Sequence, residues 1–438
     1  MKFNFKTYLS NPITLLKTYW DFRDNPYKST TLIEADTLFK LKELCLYCNE
    51  HVPYYKELFA SINFKPADMK TLNDFSQIPI MDKAVVREHF FDLQSDEISS
   101  MNTVLCSTSG STGTPLKIYL DAHVNRAIFC KLWRLWNQAP DWHIGKTLLT
   151  IDGDNTELAQ KPWFFNPKNR FLYFTPFFIK KDNIKMYYDL VKKYKPKILK
   201  GYPSAIYTFG KYLEAEGLNL SFSTIFTHSE NLLDFQRRFF KSFFGADVVI
   251  QYGNNEKAGL IYGCCKGNLH SQDDYAYHEI VDKNGISTPY GIEGRLVCTN
   301  LYNYCMPLLR YDTRDLASFS KIKCDCGSNF KVIESLAGRD SDVILTKDNR
   351  VVSVIDSAFW NCDNIEMANI HQPKRGEIIV SLVPSPKYTQ HDENNLLLGL
   401  KERCGEDMHI EIRHVEETEI PRTPVGKVRF ITTDLKET

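Results

Sequence analysis

At about 150 residues per compact unit, a chain of 438 residues should form two or three such units, and 43% hydrophobic with 25% charged residues can bury a sizeable core. Its 54 basic and 54 acidic side chains cancel, which removes the electrostatic footprint of a nucleic-acid binder. No apolar run reaches the ~18 residues of a membrane span, and the N-terminus, interrupted by Lys2, Lys6 and Lys17, does not read as an export signal, so a cytoplasmic protein is expected.

Residues 30 to 100 read as helices and loops: "TLIEADTLFKLKELCLYCNEHV" carries apolar residues at helical spacing until Pro53 stops it. From 102 onward β-rich runs alternate with helical ones: "TVLC", "LKIYL", a helix near 123 to 137, "TLLTI", a helix near 183 to 194, "KILKGY" and a helix near 204 to 216. The alternation continues through "FSTIFTH", the helix "LLDFQRRFFKSFF" and "DVVIQYG", and indicates an α/β sheet protein. After about residue 275 the chain becomes strand-rich, with "AYHEIVD" and "EGRLVCTNL" set off by Gly and Pro turns. From about 343 it reads as a small α+β unit: "EIIVSLV", the helix "DENNLLLGLKERC" and "MHIEIRHV". No repeat or low-complexity tract marks a linker.

The run "STSGSTGTPLK" at 107 gathers Ser, Thr and Gly, whose backbone N–H and hydroxyl groups can turn inward as a nest for phosphate oxygens. Lys117 would add charge, but it is separated from Gly113 by Thr-Pro-Leu and followed by β-formers, unlike the loop of P-loop enzymes. Pro115 disfavours helical geometry at Thr114, so the loop is expected to join two strands. Taken alone, such a run reads more readily as a plain hairpin or surface turn than as a site.

This loop resembles the phosphate loop of the adenylate-forming superfamily of acyl-CoA ligases, luciferases and peptide-synthetase adenylation domains. In the same order as that superfamily's motifs follow "QYGNNEKAG" at 251, similar to Tyr-Gly-x-Thr-Glu, and "RYDTRDLA" at 310, similar to Tyr-[Arg/Lys]-Thr-Gly-Asp. Then come "GRDSD" at 338 and "PRTPVGKVRF" at 421, the latter similar to the C-terminal lysine motif. "HVPYYKELF", "IPIMDKAVVR" and "KGYPSAIYTF" most resemble the phenylacetate-CoA ligase branch, which includes CapK-type capsular polysaccharide proteins and deazaflavin-cofactor adenylyltransferases.

The resemblance implies a large N-terminal domain over 1–338 with mixed sheets flanked by helices, helical over 1–100 and strand-rich over 275–338. A small mobile α+β lid would occupy 339–438, with its hinge near Ser341. It implies an AMP-forming ligase, in which a carboxylate attacks the α-phosphate of ATP, two anions meet, and cations must offset the repulsion. Ser109, Gly110, Ser111, Thr112, Gly113, Thr114 and Lys117 would hold the β- and γ-phosphates. Glu256 would coordinate magnesium, a hard cation that prefers oxygen, within the Tyr252-Gly253 motif. Asn255 replaces the motif's Thr and can donate to the α-phosphate, Ser229 and Glu230 resemble an adenine-side contact, and Asp315 would accept the ribose hydroxyls. Arg339 would touch ribose and phosphate, and Lys427 would reach in to stabilise developing negative charge. Arg314 stands where the motif has Gly.

Twelve cysteines in a long chain without an export signal read as thiols or metal ligands. "GCCKGNLH" at 263 and "CDCG" at 324 give Cys₃His spacing for a closed structural zinc site, with Cys264 or Cys265, His270, Cys324 and Cys326 as ligands. The resemblance favours Cys264, since in similar members the cysteine lies six residues before the histidine. The acid pocket would be lined around 200–205, 227–231 and 252–261, where Tyr202, Phe226, His228 and Leu260 suit an aromatic or apolar acid or serve as core. The acceptor is left open among coenzyme A, a carrier-protein thiol, an amine and a phenolic hydroxyl. The alternatives are an adenylyltransferase that leaves AMP on its product and a nucleotide-binding scaffold without catalysis. Monomer and homodimer are both compatible with the chain.

Overall fold

The computed structural model describes residues 12–107, 116–152, 161–339, 344–348, 351–352, 355–359, 362, 364–422 and 428–435. Ser29 accepts a hydrogen bond from Leu32 N (3.3 Å) and so caps α1's successor, α2 (Thr30–His51), α1 being Pro12–Arg23. Pro53 ends α2 and opens α3 (Pro53–Ser61), since a ring without an N–H is harmless at a first helical position. Two short helices, α4 (Leu72–Phe75) and α5 (Lys83–Glu88), follow. The hairpin β1 (Thr103–Ser107) and β2 (Lys117–Asp121) pairs antiparallel with Ser107 opposite Lys117, so two strands flank the Ser/Gly run as expected. Asp121 then caps α6 (Ala122–Trp136) through His123 N and Val124 N.

Next come β3 (Leu148–Ile151), β4 (Trp163–Asn166), β5 (Phe171–Phe174), α7 (Ile184–Tyr194), β6 (Ile198–Gly201) and α8 (Pro203–Ala215). They are followed by β7 (Thr224–His228), α9 (Asp234–Phe244) and β8 (Asp247–Gly253). The strand-rich stretch holds β9 (Leu260–Gly263), β10 (Leu269–Ser271), β11 (Ala276–Val281), β12 (Gly294–Asn300), β13 (Tyr311–Ser320) and β14 (Val332–Arg339). The C-terminal stretch holds β15 (Ile344–Leu345), β16 (Val351–Val352), β17 (Ile365–Lys374), β18 (Glu377–Pro384), α10 (Gln390–Cys404), β19 (His409–His414) and β20 (Ile431–Thr433). Strands β4 and β5 were not foreseen: the four-residue runs "WFFN" and "FLYF" carry no alternation to mark them.

The chain divides into two compact units, the first comprising residues up to Gln138 with Tyr252–Leu336, the second Ala139–Gln251 with Ala337–Thr438. In the first, strands run in the order β11-β12-β13-β14-β10-β9. Met81 N donates to Arg310 O (3.0 Å) and Asp312 N to Met81 O (2.8 Å), which joins the helical N-terminal segment to β13. Arg310 is buried, and its guanidinium reaches Ser76 O and Ile78 O (both 2.6 Å) and Glu279 (3.0 Å).

In the second unit the order β8-β7-β6-β3-β5-β4 is parallel except for the antiparallel edge strand β4. One face of this sheet, with Leu149, Ile151, Leu199 and Ile225, packs on Phe209, Phe240 and Phe244 of α8 and α9 in a continuous apolar core. A Cβ at Gly201 would stand 2.2 Å from Ile151 O, so only glycine lets the ends of β3 and β6 approach this closely. The C-terminal stretch has its own sheet, β19-β18-β17-β20, covered by α10 around Ile370, Val380, Leu382, Leu396 and Leu400. The fold class is thus mixed α/β with multi-stranded sheets flanked by helices. No helix among the described residues is long and apolar enough to cross a membrane.

Candidate functional site

Within the first unit, two motifs some sixty residues apart in the chain converge. Tyr252, the penultimate residue of β8, donates from Oη to Asp315 Oδ2 on β13 (2.5 Å). Tyr311 Oη, four residues earlier on β13, donates to Glu256 Oε1 (2.9 Å), and Lys83 Nζ of α5 lies 3.6 Å from the same oxygen. Glu256 is buried, while its neighbour Asn255 is exposed. Burial pushes both phenols above their ordinary range, and the adjacent carboxylates, Asp315 for Tyr252 and Glu256 for Tyr311, add to the shift. Both tyrosines therefore keep their protons and act as donors. Lys257 holds φ +56 just after Glu256, its carbonyl accepting from Tyr275 Oη (2.7 Å), which fixes the turn that presents the carboxylate.

Thr313 Oγ1 donates to Leu296 O (2.8 Å) and accepts from Asp315 N (3.2 Å), and Arg314 N donates to Asp312 Oδ1 (2.8 Å). Between them Arg314 adopts φ +61, so the position at which the related motif has glycine is left-handed here as well. The substitution keeps the turn and places a long side chain where the motif has none.

In the second unit Ser229 is exposed with φ +69, and its hydroxyl meets His228 Nδ1 (3.0 Å). Glu230 accepts from Ser204 N (3.1 Å) and Ser204 Oγ (3.0 Å) at the start of α8, and from Val428 N (2.8 Å). Its carboxylate thus engages the residue that follows Lys427. Lys117 opens β2 with an exposed side chain, Gly253 ends β8, and Arg339 ends β14. Ser109, Gly110, Ser111, Thr112, Gly113, Thr114, Ser341 and Lys427 lie outside the described residues.

The cysteine constellation does assemble. Cys264 follows β9, His270 sits on β10, and Cys324 and Cys326 lie in the loop between β13 and β14, with all four donor atoms within 4.8 Å of one another. Cys264 Sγ is 3.6 Å from Cys324 Sγ, and Cys326 Sγ is 3.4 Å from His270 Nε2. Donors at about 2.3 Å (sulfur) and 2.0 Å (nitrogen) from a tetrahedral zinc stand about 3.5 to 3.8 Å apart, so the set fits that ion. His270 Nδ1 donates to Phe330 O (3.1 Å), which orients the ring and leaves Nε2 as the free donor. Cys265 is exposed and outside the cluster, because the turn closed by Gly267 N to Cys264 O (2.9 Å) directs only Cys264 inward.

Sequence reasoning missed Lys83, and it missed a polar group in the second unit. Asp152, the residue after β3, accepts from Lys200 Nζ (2.9 Å) and Thr150 Oγ1 (3.1 Å), and His228 Nε2 lies 3.3 Å from the same carboxylate without a hydrogen bond to it. Tyr202 packs edge-on against His228 with ring centroids 5.4 Å apart. A single Lys in "KILKGY" and a single Asp in "TIDGD" carry no pattern that pairs them.

Comparison with known proteins agrees with the motif reading. Residues 344–434 match the CapK C-terminal domain family. Protein CapK of Staphylococcus aureus is 25% identical over 429 residues, covering 92% of this chain and 91% of that one. The phenylacetate-coenzyme A ligase of Thermus thermophilus is 23% identical over 346 residues, 70% of each chain. A 2-hydroxyisobutyryl-CoA ligase crystallised in its postadenylation state superposes with a TM-score of 0.76 at 19% identity, covering 94% of this chain and 91% of that one. An anthranilate CoA ligase bound to anthranoyl-AMP matches 74% of this chain and 65% of its own length, at a TM-score of 0.51 and 15% identity. At these identities the solved structures establish the fold, which is that of the adenylate-forming ligases.

Proposed function

We propose that this chain, with the fold of the adenylate-forming ligases and a CapK-type C-terminal domain, is an ATP-dependent, AMP-forming ligase of the cytoplasm. It would activate a carboxylic acid and pass the acyl group to a thiol, of coenzyme A or a carrier, or to an amine, in surface polysaccharide synthesis. The observation that carries this reading is the convergence of Tyr252 on Asp315 and of Tyr311 and Lys83 on Glu256 (2.5, 2.9 and 3.6 Å), where four motif residues meet as nucleotide chemistry requires.

In this reading Asp315, oriented by Tyr252, accepts the ribose hydroxyls. Glu256, a buried oxygen donor held by Tyr311, would hold the magnesium that accompanies ATP, and that ion supplies charge neutralisation between the phosphates. The Ser109 to Thr114 run and Lys117 clamp the β- and γ-phosphates, Asn255 donates to the α-phosphate, and Ser229 lies beside the adenine. Residues 339–438 act as the lid, hinged near Ser341, which brings Arg339 and Lys427 to the developing charge. Glu230, bonded to Val428 N, supports one base of the Lys427 loop. Cys264, His270, Cys324 and Cys326 would hold a structural zinc that ties the β9–β10 hairpin to the loop before β14.

The test is acid-dependent exchange of labelled pyrophosphate into ATP across a panel of carboxylic acids. Exchange with at least one acid is expected, and its loss in Lys427→Ala by about 2 to 4 kcal/mol of transition-state stabilisation, roughly 30- to 1,000-fold in rate. ATP binding without exchange for any acid would point to the scaffold reading.

A further inference from the structure

Within the second unit, helix α8 is tied at two points to the residues that flank the Lys427 stretch. At its N-terminus Ser204 donates from the backbone N to Glu230 Oε2 (3.1 Å) and from Oγ to Glu230 Oε1 (3.0 Å), and the same Oε1 accepts from Val428 N (2.8 Å). A helix N-terminus favours negative charge, which holds this carboxylate in place. Farther along α8, Tyr212 donates from Oη to Glu417 Oε2 (3.0 Å), and Glu417 Oε1 accepts from Arg422 Nη2 (2.9 Å). Burial and the charge of Glu417 push the Tyr212 phenol up to about 12, so it remains a donor. At about 1.5 Å per residue, Ser204 and Tyr212 stand about 12 Å apart along the helix axis.

Arg422 and Val428 are also paired with each other. They form an antiparallel bridge, and Arg429 N donates to Pro421 O (2.9 Å). The residues on either side of the Lys427 stretch are thus joined to one another, and each has its own carboxylate strut to α8. A single anchor leaves a segment free to pivot, whereas two anchors well apart on one rigid helix fix its direction as well as its position. Both oxygens of Glu230 are engaged in this way. A catalytic group displaced by about 1 Å can lose about 100-fold in rate, so whatever holds a lysine that meets developing charge shapes the reaction itself.

We propose that Glu230 and Glu417, acting through Val428 and Arg422, are positioning residues that anchor the flanks of Lys427 to α8 for adenylation. This rests on the ligase reading above, and it gives Glu230 a task other than the adenine-side contact that the resemblance implied. Neither carboxylate serves the nucleotide directly, so their loss should be felt in kcat and not in the KM for ATP.

The experiment compares the full-length protein with its Glu230→Ala, Glu230→Gln and Tyr212→Phe variants by two readouts. The first is pyrophosphate exchange with an acid that the unaltered protein accepts. Glu230→Ala should lower kcat about 10-fold or more, the scale of losing a hydrogen bond to a charged group, with the KM for ATP unchanged. Glu230→Gln, whose amide oxygen can still accept from Val428 N, should recover part of that loss. Tyr212→Phe, which frees Glu417 from α8, should lower kcat less steeply. The second readout is the rate of tryptic cleavage between Lys427 and Val428, expected to rise about 10-fold in Glu230→Ala while cleavage elsewhere keeps its rate. A raised KM for ATP with kcat kept would overturn the proposal in favour of the adenine-side contact. Unchanged kcat and cleavage rates in all three variants would overturn it outright and leave the ligase standing. If the unaltered protein binds ATP but exchanges with no acid, the ligase reading fails and the catalytic role falls with it, and the cleavage rates alone decide the anchoring.

Discussion

Arg314 shows how a single position can depart from a motif and still obey its geometry. The left-handed backbone at φ +61 costs an ordinary L-residue about 1 to 2 kcal/mol, and glycine avoids that cost. Arg314→Gly is therefore expected to hold or raise the melting temperature, whereas Arg314→Val, β-branched at positive φ, should be about 2 kcal/mol less stable than the glycine variant. Chemical denaturation of the two proteins side by side measures that difference. The same turn sets Asp315 against Tyr252, so the residue's conformation belongs to the site's construction. Lys427, whose proposed role is to meet charge that develops during the reaction, should behave oppositely: its alanine variant should fold normally and fail in exchange.

At the level of elements, the first unit contains two side-chain constellations of different physics. One is the Cys264, His270, Cys324 and Cys326 set, whose donors come from a hairpin and a distant loop that have little apolar surface of their own. Purified protein should contain about one equivalent of zinc, and Cys324→Ser should lose it and loosen the 320–332 loop to proteolysis, as metal-coupled folding predicts. A folded, zinc-free preparation would contradict the site. The other is the ion cluster in which Lys131, fully buried on α6, reaches Asp274 (2.5 Å) together with Arg134 (2.9 Å). Although burial alone would raise the Asp274 carboxyl, Arg134 and Lys131 hold it well below the usual carboxylate range. Asp274→Ala strands two buried cations and should cost about 3 to 5 kcal/mol, and adding Lys131→Met should recover part of that loss. Thermal melts of the single and double variants decide it.

Across the molecule as a whole, acid stability should follow His228. Its pKa is depressed from 6.5 to about 3 by burial and by Lys200, so the unfolded chain takes up this proton before the folded one does. The contribution is complete above about pH 6.5 and falls by up to about 1.4 kcal/mol per pH unit as pH drops towards 3. His228→Gln should flatten the stability profile between pH 6 and 4, and an unchanged slope would show that His228 is solvated and free to titrate.

Sequence alone determined what local pattern can carry. Helical spacing placed α2, the alternation of β-rich and helical runs placed β3, β6, β7 and β8, and five ordered motifs carried the resemblance to the adenylate-forming ligases whose fold the chain has. Cysteine spacing proposed a zinc set from two short-range pairs, Cys264 with His270 and Cys324 with Cys326, and only the fold brought the two pairs together. Tertiary structure decided everything that depends on which strand lies beside which. Register between β3, β6, β7 and β8 sets Asp152, Lys200, His228 and Gln251 in one row, although they are spread over a hundred residues and each alone looks like a surface polar group. A hairpin turn, invisible in "GCCKGNLH", chose Cys264 over Cys265. Side-chain type is written in the chain, but desolvation and partnership arise only when strands pair, and it is desolvation that sets these polar residues apart from those on the surface.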